Sequence, residues 1–277
     1  MVRRCRPWLG TFVEVECDAL PAADAAFAAL AQVHQLMSAH DAGSELSRIN
    51  CDGHRQMIAV SAPTADVVRR ARRWAELSGG AFDIVRAGRE SLARGALPLH
   101  PGQPAPDPGA DWNAIRVAGN AVGLDRPACL DLGGIAKGYA VDLAIAAMRE
   151  AGAERGLINA GGDLRGFGDQ TLSVTIPDPQ SRQPLVMTSL QNGAIATSAG
   201  LPDAFDRLDF GHLPRSSLDW VSVTVRAQTA CDADALTKIV WTLGQRAEDL
   251  LRDHHAEAFV IDRARQVHRV GAAPVIA

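Results

Sequence analysis

Apolar and polar positions alternate near the start of the chain and then change to a helical spacing. Over Thr11–Glu16, Phe12, Val13 and Val15 stand among acidic residues, a pattern typical of a β-strand. The alanine-rich stretch Ala22–Met37 repeats its apolar side chains at the period of an α-helix. The pattern therefore predicts a strand followed by a helix.

A second helix is predicted around Pro63, because a first helical turn tolerates proline. Ser61 or Thr64 is its candidate cap, and the pair Gly79-Gly80 ends it. Its apolar positions face the core. The helix also carries four arginines, for which we predict a solvent-exposed face. They are Arg69, Arg70, Arg72 and Arg73.

The rest of the chain mixes strands and helices without regular alternation. The proline-rich residues 95–111 predict a loop or linker, and Ile115–Leu124 predicts a hairpin that turns at Gly119-Asn120. The remaining predicted strands are Gly156–Asn159, Leu172–Ile176, Ala194–Thr197, Val221–Val225, Ala258–Asp262 and Val267–Val270, and the helices are Tyr139–Ala151 and Asp232–Leu243. This order favours an α+β fold over a doubly wound sheet.

Composition is that of an ordinary soluble globular protein. The 277 residues can bury a sizeable core, with 47% hydrophobic and 22% charged residues. A net charge of −4 without a basic run argues against nucleic-acid binding. The five cysteines are widely spread and form no C-x-x-C pair, and their odd number argues against a disulfide framework and for a reducing compartment. A structural zinc site is not expected either.

The sequence carries no evident targeting signal. The basic start Met1–Arg6 is not followed by an apolar signal-peptide core, and no apolar run is long enough to span a bilayer. We therefore expect no transmembrane segment and a cytoplasmic location for the chain as given. A periplasmic location stays open, because a chain trimmed at its N-terminus would look the same.

One glycine-rich segment carries most of the candidate chemistry. Asp131–Asp142 contains three glycines, Lys137, two aspartates and the only tyrosine of the protein. Gly133-Gly134 allows a ligand to come close, the following helix start can face an anion, and Lys137 adds positive charge. These features suit a phosphate site. A plain turn fits the glycine pair equally well, since the segment matches neither a P-loop nor a dinucleotide fingerprint.

Six further blocks stand in order around this loop. They are Leu9-Gly10-Thr11, Ser44–Asn50, Ala81-Phe82-Asp83, Asn159–Asp163, Ala196-Thr197-Ser198 and Ala233–Thr237. Together the seven blocks resemble the ApbE family of FAD:protein FMN transferases, from about residue 7 to about residue 262. Seven blocks in the right order make chance a poor explanation.

The resemblance implies an enzyme that binds FAD, usually with Mg²⁺. Such an enzyme transfers FMN to a threonine or serine hydroxyl of a target flavoprotein and releases AMP. The implied fold is α+β, with a T-fold-related core, mixed sheets and packed helices, in a single domain over residues 1–277; two lobes divided near 95–111 are an alternative. Two other functions stay open, namely hydrolysis of FAD to FMN and AMP, and FAD binding without catalysis.

The resemblance also implies a metal site. In the family a backbone carbonyl of the glycine loop and Asp and Ser/Thr side chains near the C-terminus hold the metal. The corresponding positions here are Gly134, Asp234 and Thr237. Asp234 and Thr237 are on one helix face, and such oxygen ligands suit Mg²⁺. On the residues alone, Asp234 is more simply a helix N-terminal carboxylate.

The implied FAD contacts are spread along the chain. Leu9 matches a methionine near the flavin, and His40 falls where many members place a tyrosine against the isoalloxazine ring, although an exposed loop histidine is the alternative. Asp131 would contact FAD, and Lys137 its phosphate or ribose. The other implied contacts are Ala81, Phe82, Asp83 and Leu213.

Three residues near these positions have structural alternatives. Asp83 can serve as a turn or cap residue. For Asp163 we expect an Asx-type brace of its turn. For Tyr139 we expect a place in the core rather than a catalytic role.

Two positions depart from the family pattern. Lys238 stands where the family usually has a threonine. Its ammonium group would repel a metal ion unless it points away. Alternatively, it replaces part of the role of the cation by contacting the pyrophosphate. The block Gly211–Ser217 is shorter than its counterpart and lacks an aspartate and the final glycine, which affects cofactor cover and acceptor approach. His212 is the candidate general base for the acceptor hydroxyl, and with Asp234 it forms the expected catalytic pair.

Overall fold

A computed structural model describes residues 1–200 and 219–271 of the chain. The helices are α1 (Leu20–Met37), α2 (Glu45–Asp52), α3 (Ala62–Leu77), α4 (Ile84–Ala93), α5 (Ala136–Glu150), α6 (Ala230–Leu243) and α7 (Glu248–Asp253). The strands are β1 (Val2–Trp8), β2 (Thr11–Cys17), β3 (Ile58–Ala59), β4 (Ile115–Ala118), β5 (Ala121–Leu124), β6 (Gly156–Ala160), β7 (Asp163–Phe167), β8 (Leu172–Pro177), β9 (Pro184–Leu190), β10 (Ala194–Ala199), β11 (Trp220–Ala227), β12 (Glu257–Asp262) and β13 (Val267–Val270). None of these helices is long and apolar enough to cross a membrane.

Eight strands form one large sheet, in the order β1-β2-β6-β7-β10-β11-β12-β13. Two smaller sheets have the orders β3-β5-β4 and β8-β9. All of these pairings are antiparallel, so the sheets in the described part of the chain are antiparallel rather than mixed. Hairpins join β1 to β2, β6 to β7 and β12 to β13, which gives antiparallel neighbours directly. The expected α+β class is confirmed.

Helix α5 is the centre of the helical layer. It packs against α1 on one side and α6 on the other, and it also contacts β6 and β7. Helix α6 in turn lies against β10 and β11. Large side chains such as Phe27, Leu30, Ile145 and Met148 fill the core between these elements. This packing places the N-terminal turns of α5 and α6 next to each other.

Most of the predicted elements are confirmed. The first strand, the loop at 95–111 and the hairpin that turns at Gly119-Asn120 are all present. Pro63 lies in the first turn of α3, and the arginines of that helix are exposed as expected. Ser61 occupies the cap position of α3, but its hydroxyl donates to the carboxylate of Glu45 (2.7 Å) instead of capping the backbone.

Helix α5 begins earlier than expected. The predicted start was Tyr139, whereas the helix begins at Ala136. The carbonyl of Leu132 accepts the N–H groups of Ile135 (3.0 Å) and Ala136 (2.8 Å), so the chain is already wound before the apolar periodicity becomes visible. The glycine-rich loop therefore leads directly into the helix, and Lys137 lies in the first turn of α5.

Several of the elements that the sequence pattern missed are charged or short, although the uncharged strand β9 was missed as well. Strand β1 runs along the outer edge of the large sheet, and its Arg3 pairs with Glu14 (3.1 Å) on β2. Its exposed arginines concealed the alternation. Helices α2 and α4 are short, and Ser44 and Asp83 cap them. An exposed edge strand and a helix of only two or three turns show little apolar periodicity, so the sequence pattern does not reveal them.

Gly138 is required where α5 meets α6. A Cβ at this position would lie 2.2 Å from the carbonyl oxygen of Ala230 and 2.8 Å from the N–H nitrogen of Cys231. Gly138→Ala is therefore expected to lower the free energy of unfolding by about 2–3 kcal/mol, because a backbone cannot move aside as a side chain can. Urea unfolding measures the change.

Gly109→Ala is the matched control for this substitution. Its Cβ would meet its nearest neighbour, a carboxylate oxygen of Asp107, at 3.4 Å, which is an ordinary contact. We expect a stability close to that of the wild type. Equal stability of the Gly138→Ala and Gly109→Ala variants would contradict the close approach of α5 and α6.

Candidate active site

Asp131 holds the glycine-rich loop in place. Its carboxylate is buried, with one oxygen accepting the N–H of Gly133 (2.8 Å) and the other the hydroxyl of Ser91 (2.8 Å). The N–H of Asp131 donates to the carbonyl of Ile84 (2.9 Å). The loop therefore approaches α5 along a fixed path.

Gly134 lies directly against Lys238. A Cβ at Gly134 would be 3.3 Å from Cε of Lys238 and 3.4 Å from Cε2 of Phe82. The absence of a side chain lets the loop backbone pack closely on the lysine stem. Lys238 is therefore positioned beside the glycine loop, although the two lie far apart in sequence.

Lys137 and Asp163 form a partly buried ion pair. The Nζ atom of Lys137 lies 2.8 Å from Oδ2 of Asp163, whose side chain is 1% exposed. The expected brace role of Asp163 is therefore wrong. The N–H of Gly162 donates instead to Oδ1 of Asn159 (3.1 Å), so Asn159 braces the turn.

Asp234 and Lys238, one turn apart on α6, form a second ion pair, which is buried. Oδ1 of Asp234 accepts from Nζ of Lys238, and Oδ2 accepts the N–H of Gly138 (3.2 Å). Asp234 is fully buried. The hydroxyl of Thr237 donates to the carbonyl of Asp234 (2.7 Å) and lies 2.7 Å from the hydroxyl of Ser198. Both carboxylate oxygens of Asp234 thus have partners within the protein.

Lys137, Asp163, Asp234 and Lys238 form what we call the charge cluster. Burial would raise the pKa of Asp234, but the ammonium groups of Lys238 and Lys137 outweigh it and hold that pKa below its usual value. Burial and the charge of Asp234 raise the pKa of Asp163, which Lys137 only partly offsets. Burial opposes the charging of Lys137, yet the two carboxylates raise its pKa. The cluster therefore brings two lysine side chains against two buried carboxylates.

The predicted magnesium ligands are brought together, but they do not fit a divalent cation as they stand. The Lys238 ammonium donates to Asp234 Oδ1 and the Gly138 N–H donates to Oδ2, so a metal ion would have to displace one of these two donors. The Thr237 hydroxyl is shared between two other oxygens. A positive group at contact distance repels a metal ion. Among residues 1–200 and 219–271, no three His, Cys, Asp or Glu side chains group as metal ligands.

An apolar cavity of about 490 Å³ adjoins the charge cluster. It lies between the turn after β1, the end of α1 and the loop before α5. Four predicted contact residues line it, namely Leu9, His40, Asp131 and Lys137. Much of the remaining lining is aliphatic, including Val33, Met37, Leu46, Leu97 and Leu132. Its volume is typical of small-molecule sites, and Lys137 belongs to both the cavity and the charge cluster.

Leu9 contributes to this cavity from a strained backbone. The turn Leu9-Gly10 joins β1 to β2 with φ values of 56° and 74°. Two consecutive positive φ values are typical of a type I′ hairpin turn, which favours Asn-Gly. A leucine in the left-handed region costs about 1–2 kcal/mol. Backbone strain of this kind concentrates at binding sites, which agrees with the position of Leu9 on the cavity wall.

The segment Ala81–Asp83 lies on the other side of the glycine loop. Phe82 is buried next to Gly134. Asp83 caps α4 by accepting the N–H groups of Val85 (2.9 Å) and Arg86 (3.1 Å), so the cap role is confirmed. Within the described part of the chain, this segment does not line the apolar cavity, and its contact with a cofactor stays a prediction.

Of the remaining residues singled out from the sequence, two lie in the part of the chain that the structure describes and two lie outside it. Tyr139 is buried in the core as expected, and His40 is exposed at the edge of the cavity. His212 and Leu213 lie outside the described residues. The role of His212 as general base and the contact of Leu213 with FAD therefore stay predictions.

Sequence reasoning did not assign Asp163 and Ser198 to the site. Asp163 meets its lysine partner 26 positions away, and Ser198 meets Thr237 39 positions away. Both belong to the blocks that carry the family resemblance, which is the signal that could have found them.

Asp142 on α5 fixes the start of α6. One carboxylate oxygen accepts the N–H of Ala230 (2.9 Å), and the other accepts that of Cys231 (2.9 Å). Arg165 on β7 pairs with the same carboxylate. A carboxylate at a helix N-terminus is favourable, and here it also aligns α6 so that Asp234 reaches α5.

Comparison with known proteins identifies the family. The sequence model of the ApbE family matches residues 9–260. The match covers most of the chain, from the Leu9-Gly10 turn to strand β12. The chain therefore belongs to the ApbE family.

Named relatives and a solved structure agree with this assignment. A Klebsiella pneumoniae protein named FAD:protein FMN transferase is 28% identical over 240 residues, covering 79% of this chain and 74% of its own length. A Vibrio cholerae protein of the same name is 29% identical, with 78% and 71% covered. The crystal structure of the ApbE protein from Thermotoga maritima has a TM-score of 0.82 at 23% identity, covering 97% of this chain and 96% of that one. The structural likeness confirms the fold.

Asp142→Asn tests how α6 is positioned. The amide keeps the shape but loses the charge that two N–H groups and Arg165 share. We expect a loss of roughly 2–4 kcal/mol in the free energy of unfolding, because the partners stay buried. Thermal and urea unfolding report the change. Asp249→Asn, which breaks an exposed pair with Arg252, should leave stability nearly unchanged. A loss no larger than that of this control would contradict the role of Asp142.

Proposed function

We propose that this protein is an FAD:protein FMN transferase. It moves FMN from FAD to a threonine or serine hydroxyl of a target flavoprotein and releases AMP. The observation that carries the proposal is the joining of the apolar cavity to the charge cluster at Lys137, beside the glycine loop. A flavin ring and a pyrophosphate need such adjoining apolar and cationic environments. The names of the relatives support the same activity.

The proposed reaction is a single displacement at phosphorus. The acceptor hydroxyl oxygen attacks the phosphorus on the FMN side of the pyrophosphate, and the bond from this phosphorus to the bridging oxygen breaks. AMP leaves with the bridging oxygen, the hydroxyl proton passes to a base, and the acceptor becomes a phosphodiester of FMN. Transfers of this type depend mainly on positioning and on positive charge at the phosphate oxygens.

The chain supplies these requirements through its own residues. In this proposal Lys137 contacts the phosphates, which its position in the first turn of α5 supports, and Asp163 holds its ammonium group. The flavin is proposed to bind against Leu9 and His40, which line the apolar cavity. His212 is the proposed base, and Asp234 acts as a positioning residue because it is fully buried.

Magnesium dependence, which the family resemblance implies, stays a prediction. Gly134, Asp234 and Thr237 are close together, but the ammonium of Lys238 is bonded to Oδ1 of Asp234. The reaction as written contains no metal step. Whether the protein requires Mg²⁺ is therefore a question separate from its transfer activity, and measurements of metal dependence decide it.

Transfer is tested by incubating the purified protein with FAD and a flavoprotein domain that carries an acceptor threonine. We expect flavin fluorescence that stays on the domain after denaturation, a mass increase equal to the FMN group, and one AMP per label. The control is the same domain with its acceptor threonine changed to alanine, which should remain unlabelled. Free FMN and AMP without an acceptor would indicate hydrolysis instead. Bound FAD without turnover would reject both activities.

Leu9→Asn separates binding from stability. Asparagine fits the left-handed turn, so the free energy of unfolding should not fall, while the lost apolar contact should weaken FAD binding by about tenfold. Fluorescence titration with FAD and urea unfolding measure the two effects. Leu99→Asn, at an exposed position outside the cavity lining, is the control and should change neither. Unchanged FAD affinity in Leu9→Asn would contradict the assigned flavin position.

A further inference from the structure

Lysine is almost absent from this protein. Of the 28 lysine and arginine residues, only Lys137 and Lys238 are lysines, and all the others are arginines. Both lysines belong to the charge cluster, and each has its ammonium on a buried aspartate. A chain that otherwise uses arginine for positive charge therefore uses lysine at this one place, which indicates that the cluster requires an ammonium group.

The chemistry of the two cations explains that requirement. An ammonium is a compact point charge, whereas a guanidinium is a planar group with a fixed fork of donors. Lys238 is only 6% exposed, and its Cε would be 3.3 Å from a Cβ on Gly134. A planar guanidinium needs more room than this packing provides. The space beside Gly134 and Asp234 thus suits a small, nearly spherical cation.

The position of this cation is that of the predicted metal. The Lys238 ammonium bonds Asp234 Oδ1 next to Thr237 and Gly134, the three positions implied as metal ligands. An ammonium has three N–H donors, and Asp234 takes one of them. Together Lys137 and Lys238 carry the charge of one divalent cation.

We infer that the ammonium of Lys238 takes the place of a divalent cation at the phosphate site, so that the protein binds the FAD pyrophosphate without Mg²⁺. Lys238 and Lys137 then neutralise the pyrophosphate, while Asp234 and Asp163 hold the two ammonium groups apart and oriented. This inference rests on the proposed function for the identity of the ligand, FAD.

The first test uses the wild-type protein with FAD as the probe. FAD affinity is measured by fluorescence titration in EDTA and in excess Mg²⁺, and Mn²⁺ binding by electron paramagnetic resonance. We expect the same FAD affinity in both conditions and no bound Mn²⁺. A fall in FAD affinity of about tenfold or more in EDTA would overturn the inference. This measurement needs no variant and therefore does not depend on how a substitution affects folding.

Two substitutions of Lys238 make the test specific. Lys238→Thr restores an oxygen donor and should weaken FAD binding in EDTA by about tenfold or more, with recovery in Mg²⁺ and one bound Mn²⁺ per chain. Lys238→Met removes the charge and offers no oxygen, so the same loss should persist in Mg²⁺. If Lys238→Thr binds FAD in EDTA as tightly as the wild type does, the ammonium has no part in binding and the inference is wrong.

Combined with the FAD titrations, the labelling assay distinguishes failure of this inference from failure of the proposed function. Metal-free FAD binding without any transfer would reject the transferase and leave the role of Lys238 standing. Transfer that EDTA abolishes would support the transferase and reject the role of Lys238. Failure to bind FAD in both EDTA and Mg²⁺ would reject both.

Discussion

Two ion pairs, each made on a buried aspartate, determine how the candidate site is built. Lys137–Asp163 connects α5 to β7, and Lys238–Asp234 connects α6 to α5 through the N–H of Gly138. A buried charge that loses its partner costs several kcal/mol, so each member of the cluster depends on the others. Helices α5 and α6 and strand β7 therefore cannot shift separately without leaving a charge unpaired. The fold consequently fixes the positions of the Lys137 and Lys238 ammonium groups before any ligand binds.

Close backbone packing makes this cluster possible. At Gly138 a side chain would collide with the start of α6, and at Gly134 it would press on Lys238. Because both positions are glycine, an N–H of α5 reaches the carboxylate of Asp234, and the loop lies on the lysine stem. Asp131 and Asp142 then hold the loop and the helix start from either side. Backbone groups and short carboxylates thus hold the glycine loop and the start of α6 in place.

The sequence predicts most of the fold, because helical and alternating patterns remain visible where one face is buried. Strand β1 escaped this reasoning since its arginines lie on an exposed edge. Resemblance brought Lys137 and Asp234 into the candidate site, and the structure places both in one cluster. Asp163 was misread as a turn brace because its partner is set by how β7 packs on α5, which no local pattern contains. The scarcity of lysine was visible in the composition, but its meaning depended on the fold.

A lysine and a metal ion deliver charge to a phosphate in different ways. A divalent cation carries twice the charge, but it must be captured from solution and needs free oxygen ligands. An ammonium held by a buried aspartate is present in every molecule, and its N–H groups point in directions that the helix sets. Electrostatic catalysis gains from dipoles and charges that need no reorganisation during the reaction. With two lysines in place of one metal ion, the charge is divided between two fixed points. Such an arrangement suits two neighbouring phosphates better than one, which is the geometry of a dinucleotide pyrophosphate.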